Sequence, residues 1–371
     1  FGLFRTYMSQ EAGVRAYQTL TPTDDGRLYI GQGPKVQEFE KEFGRLVGQE
    51  TPLPLTTNSC TSALDLALHL ARVGIGDEII TTPMTCTATN SPPVHRRAKL
   101  VWADVDPMTG NLTPEAIKAK ITDRTEAIMC VDWAGRSCDY EAIRKIAKHA
   151  NGDPIPIIQD AAHNLLGVDP VHHGDYVAWS FQAIKHLNTV DGGALLVPAN
   201  QYARAKLLRW YGLDRESSTD FRCEQDIKEV GYKYHMHDVA ASLGLGNLPH
   251  MKRLVAKARQ NALWLTNALK GLPGIVPPRD QGNGSWWLYT VVVDDQAGFI
   301  NHMKANGVAA GQVHARNDKH SAFEYYSGPL IGVDYFDAHQ VAIPNGWWLT
   351  QSDLEKVAAT VVSYDRALVA A

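Results

Sequence analysis

Between about residue 50 and residue 200, short apolar runs alternate with stretches of helical period, and no other feature narrows the fold as far. Glu78-Ile79-Ile80-Thr81, Leu100-Val101-Trp102, Ala127 to Val131, Ile155 to Ile158, Tyr176 to Trp179 and Ala194 to Val197 read as strands. Between them, Ala63, Leu64, Ala67, Leu68 and Ala71 share one face of a helix expected over Thr61 to Arg72. Ile143, Ile146 and Ala147 do the same over Tyr140 to Ala150, where Asp139 is placed to cap the first turn. Thr113-Pro114 opens a further helix with a cap residue and a proline at the first helical position. Strand–helix alternation of this kind predicts an α/β fold, a mostly parallel sheet flanked by helices.

The pattern changes past residue 245. Met251 to Leu269 carries Leu254, Val255, Ala258, Ala262 and Leu265 on one side, and Leu272-Pro273-Gly274 and Pro277-Pro278 then break the helix. Trp286 to Val293 reads as a strand, Ala297 to Asn306 as a helix and Ser352 to Val369 as a last helix. A chain of 371 residues exceeds one ordinary core. We therefore expect a large α/β domain over 1–245, with an N-terminal arm, and a smaller α+β C-terminal domain over 246–371.

Apolar residues make up 44% and charged residues 20%, and the net charge of −4 is spread without a basic block. That profile argues for a globular enzyme with neither nucleic acid nor a membrane as partner. Cys60, Cys86, Cys130, Cys138 and Cys223 are odd in number and lack C-x-x-C spacing, so neither a disulfide framework nor a zinc site is expected, and a reducing, cytoplasmic setting fits. No apolar segment is long enough to span a bilayer, and Phe1 to Tyr7 has no signal-peptide pattern. A start at Phe1 rather than Met suggests that residues precede it.

The chemistry concentrates in two places. Ile155-Pro156-Ile157-Ile158 runs out into Gln159-Asp160-Ala161-Ala162-His163, and Ser180-Phe181-Gln182-Ala183-Ile184-Lys185-His186 precedes Asp191-Gly192-Gly193. An acid closing one buried strand and a lysine following another, both at the carboxyl ends where open α/β sheets bind ligands, are what pyridoxal phosphate requires. The lysine holds the aldehyde as a Schiff base, and the carboxylate keeps the pyridine nitrogen protonated. Ser59-Cys60-Thr61-Ser62, opening a helix, and the Ser180 hydroxyl offer donors to a phosphate. Other motifs carry less. His235-Met236-His237 and His172-His173 lack acidic or cysteine partners at metal-ligand spacing, and Gly31-x-Gly33 and Gly244-x-Gly246 lack the context of a dinucleotide fingerprint.

On these residues the chain resembles the DegT-type sugar aminotransferases, a fold-type-I family that uses pyridoxal phosphate on nucleotide-linked keto sugars. The resemblance runs over nearly the whole chain. It takes in Gly31-Gln32-Gly33-Pro34-Lys35-Val36, Ser59 to Leu64, Gly76-Asp77-Glu78-Ile79-Ile80, Thr85 to Thr89 and Asp104-Val105-Asp106, then Asp160 to His163, Ser180 to Lys185 and Gly231 to Met236. It implies Lys185 as the Schiff-base lysine and Asp160 as partner of the pyridine nitrogen. His163 stands where a glutamine near the ring hydroxyl is usual, and Cys60, Thr61 and Ser180 take the phosphate positions. Cys86 falls where an aromatic ring commonly stacks on the cofactor. Lys233 falls where an asparagine of the partner subunit reaches the phosphate, so the resemblance also implies a homodimer with shared sites.

The activity implied is transfer of an amino group from glutamate, leaving 2-oxoglutarate, to a nucleotide-linked keto sugar, with synthesis of a perosamine-type 4-amino sugar first. Lys185 moves the proton, and His186, His314 and Arg316 are candidates for substrate contact. The family also contains dehydratases with histidine at the lysine position; here Lys185 is present and His186 is its neighbour. A sugar dehydratase, an aminotransferase acting on a free keto sugar or cyclitol, and a non-catalytic sensor of cofactor or sugar are the rival readings. Trp286-Trp287 and Trp347-Trp348 are either stacking platforms for a base or core residues.

Overall fold

A computed structural model describes residues 2–28, 30–166, 172–215, 224–279, 284–323 and 328–369 of the chain. Phe1 and Cys223, both singled out in the sequence, lie outside the described residues. Two helices open the chain, α1 (Gln10–Thr19) and α2 (Pro34–Val47). The central sheet is built from β1 (Leu55–Thr57), β2 (Glu78–Thr81), β3 (Lys99–Trp102), β4 (Thr125–Val131), β5 (Ile157–Asp160), β6 (Tyr176–Ser180) and β7 (Gly193–Leu196). Its helices are α3 (Cys60–Leu70), α4 (Thr87–His95), α5 (Pro114–Lys118), α6 (Tyr140–Ile146), α7 (Tyr202–Arg209) and α8 (Asp238–Asn247).

The seven strands run in the order β1-β7-β6-β5-β4-β2-β3. β2 to β6 pair in parallel, and β7 runs antiparallel to both its neighbours, β1 and β6. Residues 181–192, which join β6 to β7, contain no helix to serve as a crossover, so the chain returns antiparallel. That reversal places Lys185 in a loop at the carboxyl end of β6 and brings Gly193, the first residue of β7, opposite Ser180.

Alternate residues of the strands face two different cores, as period two requires. Ile158, Ala178 and Leu195 pack with Ala63, Leu64, Ala67 and Leu68 of α3. Val177, Trp179, Ala194 and Leu196 pack on the other face with Phe39 and Phe43 of α2 and with α8. The Gly244-x-Gly246 pair serves this packing and no nucleotide. A Cβ at Gly246 would lie 2.3 Å from Ala12 Cα of α1, and one at Gly244 would lie 2.5 Å from the Phe39 ring.

After α8 the chain forms α9 (Met251–Leu269), β8 (Ile275–Val276), β9 (Tyr289–Val293), α10 (Gln296–Ala305), α11 (Ile331–His339), β10 (Gln340–Ile343) and α12 (Gln351–Val369). The strands make an antiparallel sheet ordered β10-β9-β8. Tyr289, Val291 and Val293 pack there against α9, α10 and α12. α9 bridges the two regions: Met251 and Leu254 sit in the core beneath the main sheet, and Ala262, Leu265 and Leu269 in the core of the small one.

Several elements differ from the sequence reading. The strand expected from Trp286 begins at Tyr289, because Trp286 adopts a left-handed backbone with φ 54° and turns the preceding residues out of the sheet. α4 contains Pro92 and Pro93, which remove two helical N–H donors, so a propensity reading passes over it. The Ser91 hydroxyl donates to the Thr87 carbonyl at 2.7 Å, adding a side-chain bond within that turn. β1 and β10 were not anticipated, being short and without a clean apolar alternation.

Candidate active site

Asp160 ends β5 and is 3% exposed. Burial raises the affinity of its carboxyl group for a proton, opposed by a hydrogen bond from Thr89, the amide of Ala162 and the charge of Lys185. Thr89 Oγ1 donates to Asp160 Oδ2 at 2.8 Å, and the Ala162 amide donates to Oδ1 at 3.0 Å. These two donors fix the plane of the carboxylate. Cys60 Sγ lies 3.9 Å from Oδ1.

Lys185 Nζ sits 3.5 Å from the centre of the Trp287 ring. Burial pushes its ammonium down to about 8, against the opposing pull of Asp160. A lysine so placed is neutral in about a tenth of molecules at pH 7, far more often than one of ordinary basicity, and only the neutral amine is a nucleophile. Trp287 is anchored in turn by its indole N–H, which donates to the Ile184 carbonyl at 2.9 Å.

Both residues line a pocket of about 360 Å³, large enough for a cofactor-sized ligand. The start of α3 forms another wall. Ser59 Oγ accepts from the Ser62 amide at 3.1 Å, and the Ser59 carbonyl accepts from the Ala63 amide. The amides of Cys60 and Thr61 are left without an acceptor from their own helix, which is the anion site of a helix N-terminus. Gly193 makes this approach possible, since a Cβ there would lie 2.6 Å from the Cys60 nitrogen. His163 closes the far side. Its ring stacks on Trp287 at 4.1 Å, and burial together with Lys185 and His314 holds it well below the usual imidazole range, so it is neutral.

Cys60, Thr61, Cys86, Asp160, His163, Ser180, Lys185 and His314 line one pocket. Three residues do not join them. His186 turns away, and its Nε2–H donates to the Ser285 carbonyl at 3.0 Å. Arg316 is not available to a substrate, because Asp318 and Asp334 occupy its guanidinium. Lys233 is exposed away from the pocket, with its carbonyl accepting from Asn58 Nδ2 at 3.1 Å. The sequence reading missed Thr89 and assigned Trp287 to no definite place. Thr89 carried a faint signal, standing in the Thr85-Cys86-Thr87-Ala88-Thr89 run, but its partner Asp160 is 71 positions away. Among the described residues no cluster of His, Cys, Asp and Glu has the makings of a metal site, and no helix is long and apolar enough to cross a membrane.

Residues 12–362 match the DegT/DnrJ/EryC1/StrS aminotransferase family. The chain belongs to this family. It is 33% identical over 304 residues to the spore coat polysaccharide biosynthesis protein SpsC of Bacillus subtilis, covering 79% of this chain and 77% of that one. The crystal structure of AtS13 from Actinomadura melliaura is 35% identical, covers 98% of both chains and superposes with a TM-score of 0.90. The sugar aminotransferase CalS13 from Micromonospora echinospora is 30% identical, covering 98% of this chain and 99% of its own, with a TM-score of 0.88. Aminotransferases of this family use pyridoxal phosphate, and the pocket fits that group. It offers an oriented buried carboxylate, a lysine of lowered basicity, unspent helix amides for a phosphate, and a buried His163 Nδ1 that has no protein partner.

Proposed function

We propose that this aminotransferase moves an amino group from glutamate to a nucleotide-linked keto sugar, with GDP-4-keto-6-deoxymannose as acceptor and GDP-perosamine as product. The observation that carries the reading is Lys185 facing the same pocket as Asp160, with the α3 N-terminus opening onto it. The polysaccharide role in the name of the Bacillus subtilis relative and the sugar aminotransferase at 30% identity support a sugar as acceptor. The position of His186 speaks against dehydration, since its ring is committed to the Ser285 carbonyl while Lys185 holds the reactive place.

Lys185, Asp160, His163, Ser180 and the Cys60-Thr61 amides would hold the cofactor, with Cys86 at its edge. Bound there, it supplies an aldehyde for the lysine and a protonated ring that withdraws electrons from the carbon losing its proton. Asp160 keeps the ring nitrogen protonated, aligned by Thr89 and Ala162. Lys185 Nζ would be placed to take the proton from the donor's Cα and to give it up again, acting first as general base and then as general acid. Trp287 and His163 keep water from that amine, and His314 stands beside His163 on the pocket wall. The acceptor half runs through the same groups in reverse.

The site is completed by a second copy of the chain. Lys233 lies beside the stacked Tyr232–Tyr234 pair, and its ammonium has no acidic partner among the described residues. In a two-fold dimer it would reach the phosphate of the neighbouring site, where a cation forms a charge-assisted contact. The division into 1–245 and 246–371, and a reducing cytoplasmic setting, are part of the same proposal.

The test is incubation of the cofactor-loaded protein with glutamate and GDP-, dTDP- or UDP-linked keto sugars, read by mass spectrometry. Amination of the GDP-linked 4-keto sugar, with release of 2-oxoglutarate, is the expected result. Amination of free keto sugars alone, or loss of water without nitrogen gain, overturns it.

A further inference from the structure

His163 and His314 form a pair whose geometry restricts more than either residue alone. Their rings are nearly parallel, 6° apart with centroids 5.5 Å apart, and the two Nε2 atoms face each other at 3.5 Å. Trp133 stands steeply inclined to both rings, at 73° with centroids 6.0 Å apart for His163 and at 76° with centroids 5.7 Å apart for His314, and Trp287 stacks on His163. The rings are clamped, so what remains free is the position of their protons.

Both imidazoles are uncharged. Burial lowers His314 to about 4, with Lys185 adding to the effect, and His163 lies well below its usual range. A neutral imidazole carries one N–H, and two facing Nε2 atoms make a hydrogen bond only when one holds a proton and the other does not. The tautomers are therefore linked. If His314 donates, His163 must carry its proton on Nδ1; if His163 donates, its Nδ1 is a bare acceptor. That Nδ1 is buried and has no protein partner, so its partner must come from whatever enters the pocket.

We propose that His314 is a positioning residue that donates its Nε2–H to His163 Nε2 and so makes the buried His163 Nδ1–H a donor for an anionic oxygen in the pocket. This rests on the reading that the pocket takes pyridoxal phosphate, whose ring oxygen is the anion concerned. An acceptor at Nδ1 would repel that oxygen, whereas a donor stabilises its charged form. His314 thus acts through His163, and does not itself touch the reacting atoms.

The tautomer is read directly by long-range proton–nitrogen correlation on the full-length protein labelled with nitrogen-15 in histidine, with His163 assigned through His163→Gln. The expected spectrum shows His163 protonated on Nδ1, before and after pyridoxal phosphate is added. His314→Phe should release it to the Nε2–H form, and His314→Gln, whose amide can donate, should keep the wild-type form. In the loaded protein, His314→Phe should also raise the pH at which the visible band of the cofactor titrates by about one unit, a tenfold change in proton affinity, and His314→Gln should leave it in place. His163 found as the Nε2–H form in the wild type, or unchanged in His314→Phe, overturns the proposal. If pyridoxal phosphate gives no visible band, the cofactor assignment falls while the tautomer reading on the same sample still decides the role of His314.

Discussion

The Lys185 ammonium nitrogen lies 3.5 Å from the centre of the Trp287 ring, under a side chain that arrives from a turn about a hundred residues further along the chain. Trp287 covers the amine, and burial is the main reason the lysine is a weaker base than one in solvent. The rate at which the cofactor-free protein captures pyridoxal phosphate should therefore rise with pH through about 8 and then level off, where an ordinary lysine would keep rising toward 10.5. Trp287→Ala should move that midpoint upward, as water regains access to Nζ. Stopped-flow absorbance over a pH series reads both, and a wild-type midpoint near that of free lysine would contradict the account.

A second prediction concerns the Asp160–Thr89 contact. Asp160→Ala should still bind the cofactor but lower turnover by about 10²- to 10³-fold, the usual cost of removing one oriented electrostatic group. Thr89→Val leaves the carboxylate in place and removes one donor, so it should cost about tenfold, the equivalent of one hydrogen bond to a charged group. Steady-state kinetics on both variants, with cofactor content measured beside them, checks the ordering. Thr89→Val matching Asp160→Ala would mean that Thr89 does more than orient.

Asp132 supports the strand ends from behind. It is fully buried and accepts from Gln159 Nε2 at 2.7 Å, Asn164 Nδ2 at 3.0 Å and the Tyr140 hydroxyl at 2.7 Å. Asp132→Ala strands those donors and should destabilise the fold by about 3 kcal/mol. Burial raises the Asp132 carboxyl to about 6 from its ordinary 3.8. The folded chain then binds the proton more tightly than the unfolded one. This group's effect on stability is accordingly most favourable below 3.8 and is lost as pH rises to about 6. Urea midpoints of the wild type and Asp132→Asn, compared at pH 4 and pH 7, should shift relative to each other against the wild type as pH rises.

Much of this arrangement was legible in the sequence because its signals are local. Asp160 follows an apolar strand, Lys185 precedes a double glycine, and Ser59-Cys60-Thr61-Ser62 opens an amphipathic helix. The parallel sheet followed from alternation alone. What stayed hidden depends on contacts between distant segments. Thr89 acts only through Asp160, Trp287 reaches Lys185 through the backbone reversal at Trp286, and the Asp318 and Asp334 carboxylates withdraw Arg316 from the site. The place of His186 depends on such a contact too. Its proximity to Lys185 in sequence does not carry over to the pocket, because the Ser285 carbonyl holds its ring elsewhere.

The proposal that Lys233 of a second copy completes the site predicts complementation. Lys233→Ala and Lys185→Ala homodimers should each be nearly inactive. After subunit exchange, roughly a quarter of the wild-type sites should return, as random pairing in a two-fold dimer gives each mixed dimer one site with both lysines. Activity that stays absent after exchange is verified would place Lys233 in its own subunit's service or in none.

The most direct measurement is chemical. Borohydride reduction of the protein loaded with pyridoxal phosphate, followed by proteolysis and mass spectrometry, should place a single pyridoxyl group on the peptide containing Lys185 and remove activity in proportion to its yield. A label on another lysine, or no label on a protein that remains active, would contradict the assignment on which the rest of the account stands.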